Sequence, residues 1–426
     1  MSKLVGMYGG PRTVIDHPDY VRALQQEIGL THLIMGGVPE LSEATRALNP
    51  GDENAGAPGR NDDEDLRQTV GLAHDLGLQV WFCQGGWHGI GSRNPERCML
   101  DMRGRPLTEV PMMRHAREQN CVACCPSDEQ ANAWLGAYLA EAVAAYEVDG
   151  VDLTHFRYTA PAFIHNLFGC ACPRCAGVAE KRGYDFEAMR RSALAFWEGL
   201  QRLDAAAVRA AGDRGLGLLD LPQWLGIDAK LAEWFAFRAE VLTHNLKALR
   251  DAAGAAAGRP LVFGGDTFPP SFSMLVGHSY RDLATWADYA SPLLAHVYVF
   301  VLSTFATWAD LLCQWVDGLA EDEALRFVLR LFGYDRLDLP GRLAAYGMPN
   351  EVDVEVASGA LFEIVELEMW RARLYSAGTL PCYPVIKGSR WPSHTVRDLV
   401  SAAEEMGHEG IIVQGTAALM DYPGIE

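Results

Sequence analysis

Short β-branched or apolar runs alternate along the chain with long stretches of helical spacing, and no other feature constrains the fold as strongly. This alternation is typical of βα units arranged around a parallel sheet. The predicted strands are residues 4–8, 32–35, 78–83, 150–154, 261–264, 293–298, 380–386 and 410–414. Eight strands of one direction, spread over the whole chain, predict a single closed (β/α)8 barrel.

The predicted helices carry their apolar side chains on one face. Between the third and fourth strands, one stripe at steps of three and four residues contains Leu135, Leu139, Ala142, Val143 and Tyr146. A plain barrel needs about 250 residues, whereas this chain has 426. We therefore expect long βα connections after strands three, four and six, on the catalytic face, with residues 301–357 as a candidate lid.

An alternative organisation starts from the segment GLGLLDLP, residues 215–222, which has the composition of a further strand. A ninth strand would indicate two domains instead of one barrel. We find no low-complexity tract, no repeat and no Pro/Ser-rich linker that would mark a boundary, so the sequence favours one domain over residues 1–426.

Composition excludes several classes of partner. Hydrophobic residues make up 49% of the chain and charged residues 21%, and no apolar run approaches the length that crosses a bilayer. The N-terminal residues lack the long apolar core of a signal peptide, so we expect a cytoplasmic protein. The net charge of −19 disfavours nucleic acid and membrane surfaces as partners. A homo-oligomer is compatible with the sequence.

Four cysteines have the spacing of a metal site. Cys170, Cys172 and Cys175 form a C-x-C-P-x-C pattern after strand four, and Cys125 lies at the start of the helix before that strand. Thiols are normally reduced in the cytoplasm, so clustered cysteines favour metal binding over disulfides. Four thiolates suit tetrahedral Zn²⁺, in a structural role because no coordination position stays open.

Two alternatives to this zinc site remain open. Cys121 or Cys124 is also close enough in the sequence to supply the fourth thiolate. The four cysteines could also be buried and reduced without any metal.

The same region carries a family resemblance. The run Cys125-Pro126-Ser127, the following helix, the strand in VDGVDLTHFRY and the segment FGCACPRC resemble the middle of glycoside-hydrolase-like (β/α)8 barrels, over roughly residues 115–180. These barrels include the family 42 β-galactosidases, which carry a four-cysteine zinc clip. Weaker similarity lies in residues 378–384, in Arg390-Trp391-Pro392 and in the final GHEGIIVQG. The resemblance implies the barrel fold, the zinc clip and a carbohydrate substrate.

The chain departs from this family where the family's chemistry lies. Family 42 enzymes have an Asn-Glu pair at the end of strand four, and this chain has Thr154-His155-Phe156 there. Related barrels have an Asp at the position of Thr154, followed by an Arg-Tyr pair that Arg157-Tyr158 matches. The family mechanism is therefore not implied, and a barrel that lost its catalytic carboxylate and only binds a sugar or a protein is one alternative.

Two carboxylates are the candidate acid and base for hydrolysis. Reacting groups of a (β/α)8 barrel lie at the carboxyl ends of its strands, where Asp266 follows two glycines and Asp152 lies within strand four. Glycosidic hydrolysis usually requires two such groups. Asp152 is expected deeper in the barrel, so a wide spacing and an inverting mechanism are predicted.

Basic side chains at the same strand ends favour an anionic substrate such as a uronate. They are His88, His155, Arg157, His296, Lys387 and Arg390. A uronate could instead be cleaved by β-elimination, for which His155, Arg157, Tyr158 and Lys387 are the candidate groups.

Other residues at the strand ends complete the predicted binding site. Trp87 and Trp391 are candidate platforms on which a sugar ring stacks, and Gln84 and Tyr298 are candidate hydrogen-bonding groups. A catalytic metal held by His and Asp is a third possibility, which no HxH or HExxH spacing supports. The sequence thus predicts a carbohydrate-active barrel enzyme, with hydrolysis favoured over elimination.

Overall fold

A computed structural model shows the barrel that the sequence predicts. It describes residues 3–52, 54–87, 90, 94–111, 113–115, 124–162, 164–346, 355–376, 380–417 and 419–420. The strands are β1 Leu4–Gly9, β2 His32–Met35, β3 Gln79–Gly85, β4 Gly150–Thr154, β5 Val262–Thr267, β6 Tyr289–Pro292, β7 Val385–Lys387 and β8 Gly410–Gln414. All strand pairs are parallel, in the order β6-β5-β4-β3-β2-β1-β8-β7.

Single bridges between Ala290 and Cys382, and between Leu293 and Val385, join the two ends of the sheet into a nearly closed barrel. The α-helices around it are Thr13–Asp16, Pro18–Ile28, Glu43–Leu48, Asp63–Asp75, Glu129–Tyr146, Ile164–Leu167, Pro173–Lys181, Phe186–Leu200, Ala205–Arg214, Asp220–Trp224, Lys230–Ala257, Tyr280–Leu283, Ser303–Trp315, Glu321–Leu331, Glu355–Ser376 and Ser393–Glu405. No helix in the described ranges is long and apolar enough to span a membrane.

Aromatic rings opposite glycines fill the interior of the barrel. Trp81 in β3 stacks on Tyr289 in β6, with ring centroids 4.4 Å apart. A Cβ atom on Gly150 would lie 2.5 Å from the Trp81 ring, and one on Gly264 would lie 2.5 Å from the Tyr289 ring. The two glycines therefore make room for two large rings within one layer.

Strand six lies earlier in the chain than the sequence predicts, at Tyr289–Pro292 instead of residues 293–298. Pro292 has no N–H to continue the ladder of hydrogen bonds. The apolar run that follows forms a 3₁₀ turn, Leu294–His296, and a π-helical turn, Tyr298–Leu302. The run is apolar because these turns are buried. Periodicity alone does not distinguish a short buried strand from buried helical turns.

The alternative ninth strand at residues 215–222 is wrong. That segment is a turn leading into the short helix Asp220–Trp224. It lies in the long connection after β4, whose last helix, Lys230–Ala257, packs along Glu129–Tyr146 on the outside of the barrel.

The described part of the candidate lid after β6 contains two long helices, followed by a stretch of turns at residues 332–342. Ser303–Trp315 packs on Glu321–Leu331, which in turn packs on Ala205–Arg214 from the connection after β4. Residues 347–354, at the end of the predicted lid, lie outside the described residues.

Candidate functional site

Two carboxylates from neighbouring strands meet a tyrosine inside the mouth of the barrel. Asp152 and Asp266 lie on β4 and β5 and face inward, and Tyr8 reaches both of them from β1. The Tyr8 hydroxyl is 2.8 Å from Oδ2 of Asp152 and 2.9 Å from Oδ1 of Asp266. Tyr289 donates a second hydrogen bond to Asp152, 2.7 Å from its Oδ1.

The Tyr8 hydroxyl couples the two acids. A tyrosine hydroxyl has one hydrogen, so Tyr8 donates to one carboxylate at a time or divides its hydrogen bond between both. Two ionised carboxylates that share one donor repel each other, so ionisation of one acid disfavours ionisation of the other. The arrangement therefore favours a state in which one of the two acids keeps its proton.

Burial assigns that proton mainly to Asp266. Asp152 is fully buried, and Asp266 is partly exposed at the mouth. Burial raises the pKa of both carboxyl groups, and the pKa of Asp266 rises further because the negative charge of Asp152 opposes its ionisation. Hydrogen bonds from Tyr289 and Tyr8 partly offset the effect of burial on Asp152. Asp152 is therefore the member that ionises first.

The carboxylate spacing is shorter than the sequence analysis predicts. The two Tyr8 contacts limit the distance between the nearest oxygen atoms of Asp152 and Asp266 to less than about 6 Å. This distance is nearer to the carboxylate separation typical of retaining glycosidases than to that of inverting ones. Gly264 pairs with Asp152, and Asp266 lies two residues further along β5, so Asp266 stands closer to the mouth than Asp152, and Tyr8 contacts both.

Polar groups follow three strands on the face of the barrel that carries Asp266. The Thr154 side chain hydrogen-bonds to Asp266 and, through its hydroxyl, contacts Nδ1 of His155 at 3.1 Å. His155 has a positive φ of 59°. His296 lies close enough for its charge to lower the pKa of Asp266. At the end of β7, burial and then the charge of Arg390 lower the pKa of the Lys387 ammonium group.

Gln84 and Trp87 lie away from the carboxylate pair. The Gln84 amide donates to the Leu135 carbonyl at 3.2 Å, and the Trp87 indole donates to Oδ1 of Asn132 at 2.8 Å. Both partners belong to the helix Glu129–Tyr146, so these side chains point to the outside of the sheet. Alternation along β3 explains this for Gln84, because its neighbour Cys83 faces inward, where its thiol hydrogen-bonds to Asp152. Trp87 lies two residues beyond the end of β3, so strand alternation does not set its direction.

Tyr158 and Arg157 also serve contacts other than the carboxylate pair. The Tyr158 ring is fully buried under the Arg238 guanidinium, 4.1 Å from its carbon, and its hydroxyl has no hydrogen-bond partner among the described residues. The Arg157 guanidinium lies over the rings of Phe268 and Phe300, at 4.8 Å and 5.2 Å. Both side chains therefore make packing contacts, and the elimination alternative stays a prediction.

Tyr298 and Trp391 pack against each other, with ring centroids 6.4 Å apart, and both are buried. Neither offers an open ring face for a sugar in this arrangement. His88 lies outside the described residues.

Sequence reasoning missed Tyr8 and Tyr289. Tyr8 ends the first predicted strand, so the strand-end rule that selected Asp266 could also have selected it. The same rule could not select Tyr289, because strand six was predicted to begin four residues too late.

The four predicted cysteines form one buried cluster. The sulfur atoms of Cys125, Cys170, Cys172 and Cys175 lie within 4.8 Å of one another, and Cys125 is 3.4 Å from both Cys172 and Cys175. The Leu100 N–H donates to the Cys170 sulfur at 3.3 Å. This cluster is able to hold a metal ion.

The structure also shows which of the alternative cysteines joins the cluster. The Cys124 thiol contacts the Cys125 carbonyl, so Cys125 supplies the fourth sulfur among the described residues. Cys121 lies outside the described residues.

Comparison with known proteins supports the fold. No protein-family model and no curated protein matches the sequence. The chain is similar to the glycoside hydrolase domain of PgaB (BpsB) from Bordetella bronchiseptica, with a TM-score of 0.50 and 10% identity over 99% of this chain and 96% of that one.

Two further solved structures are similar at lower scores. The catalytic domain of β-amylase from Paenibacillus polymyxa has a TM-score of 0.42 and 11% identity, over 99% of this chain and 94% of that one. The spore cortex-lytic enzyme SleL from Bacillus megaterium has a TM-score of 0.41 and 6% identity, over 99% and 72%. The likeness to PgaB shows a shared barrel fold, and the link to family 42 stays a prediction.

Proposed function

We propose that the protein hydrolyses a glycosidic bond, with Asp266 as the general acid and Asp152 as its ionised partner. The observation that carries the proposal is the pair of carboxyl groups that contact one hydroxyl group, that of Tyr8, at the mouth of a (β/α)8 barrel. A carboxyl group that keeps its proton near neutral pH, beside one that does not, is the arrangement that glycosidic hydrolysis needs. The glycoside hydrolase domain named above has the same fold, which agrees with this assignment.

Asp266 is the member of the pair that can reach a substrate. It is partly exposed, whereas Asp152 is fully buried behind it. Asp266 donates its proton to the leaving oxygen as the bond to the anomeric carbon breaks. The same carboxylate then takes a proton from the water that attacks that carbon, which restores the acid.

Asp152 acts through charge. Once Asp266 has given up its proton, both carboxylates are negative, and together they stabilise the positive charge that develops on the sugar ring. The Tyr289 and Tyr8 hydroxyls hold Asp152 in place, and burial keeps the pKa of both phenols well above the usual value, so both remain donors.

The substrate class in this proposal is an oligosaccharide or glycoside that carries a uronate. His155 follows the end of β4, His296 lies in the turn after β6, and Lys387 ends β7, so all three belong to the face of the barrel that carries Asp266. Cationic groups in that position would pair with a sugar carboxylate and orient the ring.

The cysteine cluster is proposed to hold a structural Zn²⁺. Sulfur atoms around a tetrahedral zinc, at about 2.3 Å from the metal, are about 3.8 Å apart, and the sulfur separations here bracket that distance. The four ligands come from the connections after β3 and β4, so a bound ion would tie these two segments together beside the mouth. Zinc would contribute stability and no reaction step.

Product analysis tests the proposed reaction. The purified protein is incubated with neutral and uronate-containing oligosaccharides, and the products are weighed by mass spectrometry. Product masses that sum to substrate plus one water support hydrolysis, and an Asp266→Asn variant should then give none. Masses that sum to substrate alone, with one unsaturated product, overturn hydrolysis in favour of β-elimination.

A further inference from the structure

A second concave surface lies outside the barrel, away from the carboxylate pair. It is a cleft of about 480 Å³ between the turn at residues 215–217, the end of the helix Glu321–Leu331 and the middle of the helix Glu355–Ser376. Its polar lining consists of Arg214, Arg330, Arg336, Arg371 and Asp335. A volume of this size is typical of small-molecule sites.

The cleft is cationic on a molecule that is strongly anionic overall, with a net charge of −19. The Asp335 carboxylate forms an ion pair with Arg330, with 2.5 Å between Oδ2 and Nη1. Arg214 and Arg336 are exposed and form no ion pair with the described part of the chain. Two guanidinium groups are therefore left for an external anion, in a protein whose other surfaces repel one.

The remaining two guanidinium groups are held rigidly in the wall. Arg371 pairs with the buried Glu368 at 2.9 Å and donates to the Phe332 carbonyl at 2.7 Å. Arg330 lies against Gly215, where a Cβ atom would be 2.6 Å from its Nη2. Gly215 has a φ of +90°, so the turn both needs a glycine and leaves space for the arginine. A preorganised wall lowers the cost of binding.

One wall of the cleft is an exposed aromatic ring. Trp370 lines the cleft with 51% of its surface exposed, and Leu374 and Tyr375, further along the same helix, are 53% and 46% exposed. Few large apolar side chains in the described residues are this exposed. An uncovered apolar patch beside free cations marks a binding surface.

We propose that this cleft binds an anionic sugar unit, with its carboxylate on Arg214 and Arg336 and the apolar face of its ring on Trp370. Arginine pairs with carboxylates through two parallel hydrogen bonds, and an exposed indole covers the C–H face of a pyranose. The choice of a uronate over other anionic rings rests on the proposed function. The cleft would hold a second segment of a uronate-containing glycan outside the catalytic mouth.

Calorimetric titration with trigalacturonate tests the site, using full-length Asp266→Asn protein so that no turnover intervenes. The double variant Arg214→Glu/Arg336→Glu and the single variant Trp370→Ala should each weaken binding at one site at least tenfold. All three side chains are exposed, so these variants should fold, and thermal unfolding verifies this. The double variant Arg22→Glu/Arg397→Glu, at two exposed arginines on the helices Pro18–Ile28 and Ser393–Glu405, makes the same change of charge and should leave the affinity unchanged.

Several results would overturn the proposal. One is an unchanged affinity for trigalacturonate in both variants. Another is an affinity for neutral maltotriose equal to that for trigalacturonate. The third is tighter binding of ATP than of trigalacturonate at this cleft. Failure of the proposed reaction is separable, because binding is measured without turnover. Hydrolysis in the product assay together with no binding at the cleft would reject this inference alone.

Discussion

At the scale of single residues, Tyr8 decides how the two acids behave. Its one hydroxyl contacts both carboxylates, so the ionisation of Asp152 and the protonation of Asp266 are linked through it. Asp152 alone in the barrel would be a buried structural carboxylate, and Asp266 alone would be an ordinary acid at a strand end. Their chemistry belongs to the group of three.

Replacing Asp266 by Asn should abolish the proposed turnover. An amide of the same shape cannot donate a proton to the leaving oxygen, and loss of a general acid costs about 10²- to 10⁴-fold in rate. The rate constant kcat on the substrate identified by mass spectrometry measures this. Asp75→Asn, an exposed carboxylate at the end of the helix Asp63–Asp75, is the control and should keep full activity. A fully active Asp266→Asn protein would contradict the role of this residue.

The pH profile should report the raised pKa of Asp266. Burial and the charge of Asp152 raise this pKa, and the acid works only when protonated, so kcat should fall as pH rises through it. The hydrogen bond from Tyr8 lowers the same pKa. Tyr8→Phe should therefore move the alkaline limb to higher pH and reduce kcat about 10- to 100-fold.

Tyr138→Phe is the matched control for this pH profile. Its hydroxyl donates to the Gly37 carbonyl outside the barrel, so its removal should leave the alkaline limb in place. A limb that stays fixed in Tyr8→Phe as well would mean that Tyr8 has only a packing role.

At the scale of elements, the strands accept large rings only where their neighbours are glycines. Trp81 and Tyr289 occupy the space that Cβ atoms on Gly150 and Gly264 would take, and Tyr289 in turn holds Asp152. Packing in this layer and positioning of the site are therefore the same set of contacts.

Gly264→Ala should destabilise the barrel. The added methyl group would lie 2.5 Å from the Tyr289 ring and 2.6 Å from its backbone carbonyl, so β5 or β6 must shift. Overpacking of this kind costs about 1–3 kcal/mol, measured by urea unfolding. Gly71→Ala, on the exposed face of the helix Asp63–Asp75, has nothing within 4 Å and should stabilise by up to about 1 kcal/mol. Equal effects at both positions would contradict the packing argument.

The cysteine cluster links the connections after β3 and β4, and its loss should loosen both. Cys172→Ser should remove the single zinc expected per chain by elemental mass spectrometry and lower the thermal midpoint by roughly 5–10 °C. Cys124→Ser is the control, because this thiol contacts a backbone carbonyl and should leave the metal content unchanged. Purified wild-type protein without any bound metal would reject the proposed zinc site.

At the scale of the whole molecule, the net charge of −19 opposes compactness. Like charges repel over the Debye length, which shrinks from about 30 Å to about 8 Å between low and physiological salt. Added NaCl should therefore raise the thermal midpoint by about 1–4 °C, measured by calorimetry. Screening of the surface ion pairs by the added salt costs little stability, since each pair contributes about 1 kcal/mol or less to the free energy of unfolding. A midpoint that falls with salt would mean that these ion pairs outweigh the general repulsion.

Much of the architecture could be predicted without coordinates, and the exceptions have local causes. Seven of the eight predicted strands overlap those observed, because buried parallel strands read as apolar runs. The prediction of strand six was wrong because Tyr289–Pro292 contains Ala, Ser and Pro, which do not form an apolar run. The stronger apolar run beside it belongs to buried helical turns. Gln84 was expected at the site because a strand end was identified without its inward face, and Trp87 was expected there because it follows that strand end, although its indole turns to the helix Glu129–Tyr146.

The sequence by itself determined the barrel, the cysteine cluster and the two acids at strand ends. These follow from hydrophobic periodicity and residue spacing, which are local properties of the chain. Only the tertiary structure decided that Asp152 and Asp266 contact one hydroxyl group, that of Tyr8, that Tyr158 is buried on Arg238, and that arginines from three segments surround Trp370. Such contacts depend on closure of the barrel, on strand register and on loss of water, and most of them join residues that are far apart in the sequence.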